Sequence, residues 1–388
     1  MKKLKEMELF DEILKGPSNK LTEQAIAEGR HAIGYNCYTT PVPLLECGNL
    51  FPVRLRGSWL ESTEDSDFYL GAWTCSYSHA ILQAMIAGDF DYLDGILGTY
   101  SCVQMQRAIQ HEGILKLDEK KSSSKPYFYD MIDMPRKLFD PSLRRAALET
   151  RRVAAGLSEL FGTDVSDEAL RETIVKHNEF NALLRSISDM RKEENPRITG
   201  GEWHRVFAAS LCAPRDLLVE PLKELKAALE ERKPDKERLP RLMIFGNSID
   251  NPRFIDVIEE QGCVVVADRF CYGSLPGMED IPVEGDPYEN IVRHYLTTTE
   301  CPRMMEDSLG RFDYLMQLID DYKVDGAMFQ VLKFCDLWNW EVLTNFKRLQ
   351  EAGVQVVRVE REYLISDEGQ LSTRAQALVE RLRAKAMR

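Results

Sequence analysis

What this sequence lacks narrows what it does. Its opening stretch, MKKLKEMELFDEILKGPSNK, is charged throughout and has no apolar core of the kind a signal peptide needs. Nowhere do about 18 apolar residues run together as a membrane span requires. A cytoplasmic protein without membrane contact is expected. Basic charge is in deficit, with 50 Lys and Arg against 63 Asp and Glu and a net charge of −13. Nucleic acids bind proteins that neutralise their phosphates with Lys and Arg, so the balance argues against them as partners. No two of the nine cysteines lie within three positions of each other, so zinc-finger and ferredoxin spacings are absent. Neither G-x-G-x-x-G nor a Walker loop occurs, so the chain has no phosphate cradle with which to hydrolyse ATP itself.

What is present is a soluble, globular composition, 44% hydrophobic and 29% charged over 388 residues, enough for two full cores. From residue 241 a regular rhythm sets in. RLMIFG, CVVVAD, VDGAMFQVLKF and VQVVRV read as buried strands, separated or followed by helical stretches at 252–261, 307–322, 338–352 and STRAQALVERLRAKAM. Continuous apolar strands alternating with amphipathic helices indicate βαβ units and a parallel sheet covered on both faces. The first 140 residues repeat the rhythm less regularly, with apolar runs FPVRL, FYLGAW, LDGILGTY and PYFYDMI and helices at 76–87 and 103–111. Between them lies helical periodicity without strand-like runs, ending in the solvated charge run EERKPDKERLP. The expected fold class is therefore α/β. Two doubly wound, flavodoxin- or Rossmann-like parallel-sheet domains, 1–140 and 239–388, face a cleft, with 141–238 as a helical insert.

An internal likeness links the two halves. YLDGILGTYSC ends at Cys102 and KVDGAMFQVLKFC ends at Cys335; each has Asp-Gly opening an apolar strand and a cysteine just past its far end. Cys75 follows FYLGAW and precedes its helix in a similar setting. Open parallel sheets bind ligands outside the carboxyl ends of their strands, so two such domains across a cleft can bring these sulfurs together. Thiolates at about 2.3 Å from a metal can hold zinc or an iron–sulfur cluster, and three of them leave one iron of a cubane open. The plainer alternative is that these are buried cysteines packed as small hydrophobes.

Six further stretches bear on that choice: YTTPVPLLECGNLFPVRLRG at 38–57, CSYSHAILQAM at 75–85, DGILGTYSCVQMQR at 94–107, DNPRFIDVIEEQGCVVVADRFCYGS at 250–274, FCDLWNWE at 334–341 and GQLSTRAQALVERL at 369–382. In this order they resemble the 2-hydroxyacyl-CoA dehydratase family, which also contains benzoyl-CoA reductase subunits, and the likeness runs nearly end to end. The resemblance implies that Cys75, Cys102 and Cys335 bind a 4Fe-4S cluster between the two domains. It implies an oxygen-sensitive lyase of anaerobic amino-acid fermentation that eliminates water from an (R)-2-hydroxyacyl-CoA to give a 2-enoyl-CoA. An electron delivered at low potential makes a ketyl radical that expels the hydroxyl, and the electron is then recycled. The partners implied are a companion, alpha-type subunit in a heterodimer, a separate ATP-dependent iron–sulfur activator and the CoA-thioester substrate. In length the chain is most like the shorter, beta-type subunit, which relays the electron.

Glu46 in PLLECG and His79, one helical turn after Cys75, are candidate general bases because each lies near a segment the resemblance implicates. Their structural alternatives are a capping carboxylate and a half-buried helix histidine. Tyr38 and Tyr77 are candidates to orient a thioester carbonyl, or simply pack. Some relatives bind a double-cubane cluster through a larger cysteine set, for which Cys37, Cys271 and Cys301 are the places to look. Cys47, Cys212 and Cys263 fall in apolar or helical patterns and are expected in the core. Two other readings stay open: a subunit of an ATP-dependent benzoyl-CoA reductase, and a non-catalytic metal- or ligand-binding α/β protein holding one zinc.

Overall fold

Eight short strands pair into two separate, all-parallel sheets in the computed structural model, which describes residues 3–121, 127–274, 278–298, 301–305, 307–364 and 368–387. The first sheet contains β1 (His31–Tyr35), β2 (Leu50–Arg54), β3 (Gly95–Thr99) and β4 (Phe128–Ile132) in the order β2-β1-β3-β4. The second contains β5 (Arg241–Gly246), β6 (Val264–Phe270), β7 (Gly326–Leu332) and β8 (Gln355–Arg361) in the order β6-β5-β7-β8. Every residue of β2, β3, β5, β6 and β7 is buried, the reason these strands read as unbroken apolar runs rather than alternating ones. The two sheets are one topology used twice: a doubly wound α/β fold in each half.

Helices cover both faces of each sheet. In chain order they are α1 (Glu8–Ile13), α2 (Lys20–Ala27), α3 (Ser76–Ile86) and α4 (Val103–Lys121), then α5 (Asp140–Phe161), α6 (Asp167–Ser188), α7 (Gly200–Ser210) and α8 (Arg215–Glu231). In the second half come α9 (Arg253–Glu259), α10 (Pro287–Thr297), α11 (Ser308–Asp321), α12 (Asp336–Glu341), α13 (Lys347–Glu351) and α14 (Glu368–Ala386). The helices of 140–231 close no core of their own. α5 packs with α10 and β4 over the first sheet, whereas α7 packs with α9 and β6 over the second. No described helix is long and apolar enough to cross a membrane.

The likeness between the halves extends to single hydrogen bonds. Asp94, just before β3, accepts from the Ala32 N–H at 3.1 Å, and Asp325, just before β7, accepts from the Arg241 N–H at 2.8 Å. Each carboxylate thus ties a strand to the start of its neighbour. At the other end Asn36 accepts from the Thr99 N–H and Asn247 from the Leu332 N–H, both at 2.9 Å. The Asp-Gly signature therefore marks the equivalent central strand of each sheet, with Cys102 and Cys335 each three residues beyond its end.

Two local expectations change. FYLGAW is not a strand: a 3-10 turn over Glu64–Phe68 runs into an irregular segment, with Phe68 88% and Trp73 79% exposed. Its aromatic content signals surface, not core. Conversely HAIGY forms β1, the strand that pairs with both β2 and β3, although its brevity and internal Gly34 weaken it as a sequence pattern.

Candidate functional site

Three cysteines stand at helix starts. Cys75 is the N-cap of α3, Cys335 the N-cap of α12, and Cys102 immediately precedes α4. At such positions free backbone N–H groups and the helix dipole favour negative charge on a nearby sulfur. The Met105 N–H donates to the Cys102 sulfur at 3.4 Å, and the Ser78 hydroxyl lies 3.5 Å from that of Cys75. Cys335 is aimed by an unusual backbone: Phe334 before it has φ of 61°, a left-handed conformation that costs a bulky residue on the order of 1–2 kcal/mol. Gln104 fixes that turn. Its amide donates to the Phe334 carbonyl at 2.8 Å and to Asp336 at 3.1 Å, while its oxygen accepts from the Cys75 N–H at 2.7 Å. One side chain on α4 therefore joins the backbones beside Cys75 and Cys335, two residues from Cys102. No sequence signal points to Gln104.

Cys75, Cys102 and Cys335 all line one cavity of about 120 Å³ between the two sheets, and Cys37, Cys271 and Cys301 line it too. Three of the six thiols come from each half of the chain. Cys37 follows β1 and Cys271 follows β6; the Thr39 hydroxyl donates to the first at 3.4 Å and the Trp338 indole to the second at 3.3 Å. Burial raises the thiol pKa of Cys75, Cys301 and Cys335 and pushes Cys102 and Cys271 up to about 12. Neighbouring sulfurs add to the effect: Cys75 on Cys102, Cys75 and Cys102 on Cys335, and Cys301 and Cys37 on Cys271. Left alone, these groups stay protonated; ligation to a cation is what would release the protons.

The donor set tests which cation fits. Among the described residues no three His, Cys, Asp or Glu side chains form a group that could hold one metal ion. Ligands of an iron–sulfur cluster bind separate irons and so stand further apart than those of a single ion, and six cysteines line this one cavity. The cavity also presents polar atoms in want of an acceptor. Arg54 Nε, Arg303 Nε and Ser248 Oγ are buried without a hydrogen-bond partner among the described residues, and all three side chains line the cavity. A sulfur-rich anion would satisfy donors that an apolar occupant would leave unpaired.

The two candidate bases lie elsewhere. His79 does not line the cavity; its Nδ1 turns to Ser66 Oγ at 2.8 Å and Asp67 at 3.1 Å. Glu46 faces a separate cavity with His177 and Arg215. His177 Nδ1 stands 2.7 Å from Glu46 Oε2 and 2.9 Å from Arg215 Nη1, while Arg215 Nε is 3.1 Å from Glu46 Oε1. Burial pushes the Glu46 carboxyl up, but Arg215 and His177 together outweigh it and hold the group below its ordinary value. Its ionised form therefore stabilises the fold above the ordinary carboxylate pKa, and that contribution is lost as pH falls through the depressed native value. Glu46→Gln is expected to lower stability by about 1–2 kcal/mol near neutral pH, because it leaves the half-buried Arg215 without its anion. Urea denaturation at neutral and acidic pH checks this; the gap between wild type and variant should close on acidification. Tyr38 and Tyr77 do line the cavity, but their hydroxyls are engaged by Thr298 at 3.2 Å and the Leu55 carbonyl at 3.2 Å. Cys47, Cys212 and Cys263 are buried outside it, as expected of core residues.

Two parallel-sheet halves thus place six cysteines, three from each, around one cavity in an α/β protein. The chain belongs to the family described as 2-hydroxyglutaryl-CoA dehydratase, D-component, whose model matches residues 37–382. It is 22% identical over 373 residues to the (R)-phenyllactyl-CoA dehydratase beta subunit of Clostridium sporogenes, covering 96% of this chain and 97% of that one. It is 20% identical to the (R)-2-hydroxyglutaryl-CoA dehydratase beta subunit of Acidaminococcus fermentans, over 97% and 98% of the two chains. A third relative, a benzoyl-CoA reductase subunit of Thauera aromatica, is 22% identical over 79% of each.

Proposed function

We propose that this chain is the iron–sulfur subunit of a cytoplasmic 2-hydroxyacyl-CoA dehydratase, acting with a companion subunit and an ATP-dependent activator on an (R)-2-hydroxyacyl-CoA. The observation that carries the reading is the gathering of six thiols, three from each half of the chain, on one cavity. In this reading Cys75, Cys102 and Cys335 hold a 4Fe-4S cluster, and Cys37, Cys271 and Cys301 hold a second cluster or the other half of a double one. When bound, such a group supplies a low-potential electron and an iron able to take substrate oxygen as a Lewis acid. The chain's own residues do the positioning: α3, α4 and α12 start at the three cysteines, α4 turns the Met105 N–H to Cys102, and Gln104 sets their spacing. Asp336 is the one carboxylate among the described residues of the cavity wall, and so the group placed to take a proton there. Glu46 and His79 act structurally. The units 1–140 and 239–388 serve as the two jaws of the cavity, with 141–238 bracing both.

Anaerobic purification followed by iron and acid-labile sulfide determination tests the reading. Four or more irons per chain with matching sulfide are expected; a colourless protein with one zinc would overturn it. The likeness to a benzoyl-CoA reductase subunit supports a second reading, in which the same centre feeds an aromatic ring. Turnover of the complex with 2-hydroxyacyl-CoA but not with aromatic CoA thioesters separates the two. Gln104→Leu should retain the fold yet lose at least half of the bound iron, since it removes three hydrogen bonds, each worth about 1 kcal/mol, that hold the ligand loops together. Circular dichroism beside iron content checks it.

A further inference from the structure

The six thiols do not share one environment. Arg54, Arg269 and Arg303, all buried, line the same cavity as Cys37, Cys271 and Cys301. Arg269 lies two residues before Cys271 and Arg303 two after Cys301. The Arg54 guanidinium donates to the Cys271 carbonyl and lies over the Tyr272 ring at 4.3 Å. Arg303 donates to three main-chain carbonyls, of Met134 at 2.7 Å and of Tyr100 and Pro135 at 3.2 Å. Neither Arg54 nor Arg303 is paired with a carboxylate among the described residues, and each keeps Nε without an acceptor. The surroundings of Cys75, Cys102 and Cys335 are different: the Ser78 hydroxyl, the Gln104 amide and, next in the chain to Cys335, the carboxylate of Asp336. The arginines thus accompany one set of thiols, and neutral dipoles with one anion accompany the other.

We infer that the cavity is electrostatically polarised, so that an iron–sulfur group held by Cys37, Cys271 and Cys301 takes up an electron more readily than one held by Cys75, Cys102 and Cys335. This inference rests on the cluster reading above and goes beyond it. Reduction adds a negative charge, and buried guanidinium groups on the same cavity wall stabilise that charge with little screening. The same cations are themselves costly to bury without an anion, a cost the bound group offsets. Arg54 and Arg303 are thus positioning residues for the electron: they fix at which end it rests before it moves on.

The test is a redox titration of the anaerobic holoprotein followed by electron paramagnetic resonance. Titanium(III) serves as the one-electron donor, oxidised as the protein group is reduced. Wild type should show two one-electron waves. R54Q and R303Q should each lower the upper wave by a tenfold change in its reduction equilibrium, about 59 mV, and leave the lower wave in place. R54K and R303K should restore most of the shift. A single wave in wild type, or full iron in the glutamine variants with the upper wave unmoved, overturns the inference while leaving the cluster reading intact. A wild type that binds no iron overturns both. Should the glutamine variants lose iron that the lysine variants keep, charge is what retains the anion at that end, in support; equal loss in both types makes the role one of packing and overturns it.

Discussion

Cys75→Ala, Cys102→Ala and Cys335→Ala are each expected to lose iron and to reduce turnover of the assembled complex by more than about 100-fold, the upper limit for removing a group that merely supports a ligand. Packing can be partly restored by a methyl group; thiolate ligation cannot. The geometry sharpens the contrast, because these three cysteines stand at helix starts on the cavity wall, whereas Cys212 is buried in the core outside it. Cys212→Ala should therefore keep its iron and change only stability. Cys37→Ala, Cys271→Ala and Cys301→Ala should retain roughly half of the iron if their group is separate, since losing one centre leaves the other's three ligands untouched. Iron and sulfide per folded chain, with a thermal melt for each variant, give the answer. Full iron in any of the first three removes that residue from the ligand set.

The second large effect concerns partners. Alone, the holoprotein is expected to show no dehydration of a 2-hydroxyacyl-CoA, even with a strong chemical reductant. With companion subunit, activator, ATP and reductant under strict anoxia, turnover should rise from background by several orders of magnitude. The chain has no phosphate loop to couple ATP hydrolysis to electron transfer. Two of the relatives are beta subunits by name. Its surface near the cavity also suits cover by another protein: the exposed Trp73 ring meets Phe334 at 5.3 Å, directly beside Cys75 and Cys335, and Trp340 and Leu343 stand exposed further along the same helical segment. Exposed apolar groups concentrated around a functional opening mark interaction surface more often than accident. Omitting one component at a time reads the requirement. Turnover by this chain without ATP would sink both the relay role and the low-potential mechanism; turnover without the companion subunit alone would make a self-sufficient homodimer the better description.

The second sheet is readable in the sequence because its strands are buried on both faces, so each appears as a continuous apolar run between helices. The first is blurred by two local features. β1 carries a polar His31 and a glycine, and the aromatic FYLGAW imitates a strand while its rings face outward. The weak signal of β1 matters at the site, since Cys37 becomes recognisable as a strand-end thiol only once β1 is in place. Strand ends and helix starts are encoded near the cysteine itself, so the settings of Cys102 and Cys335 are legible from spacing, whereas for Cys75 only the helix start is, the strand expected before it being irregular. Side-chain direction is not. Glu46 and His79 lie close in sequence to the right segments, yet each has nearer polar partners, Arg215 and His177 for one and Ser66 and Asp67 for the other. Gln104 and the buried arginines depend on contacts between distant segments, which no local pattern records.

That each half of the chain contributes three of the six cavity sulfurs has a mechanical side. A group bonded to Cys102 and Cys335 would act as a crosslink, closing the long loop between them and removing conformations from the unfolded ensemble as a disulfide does, by several kcal/mol in the chain-entropy picture. Oxygen that strips such a group would then take away a clamp along with a reaction centre, and the damaged protein would be easier to unfold as well as inert.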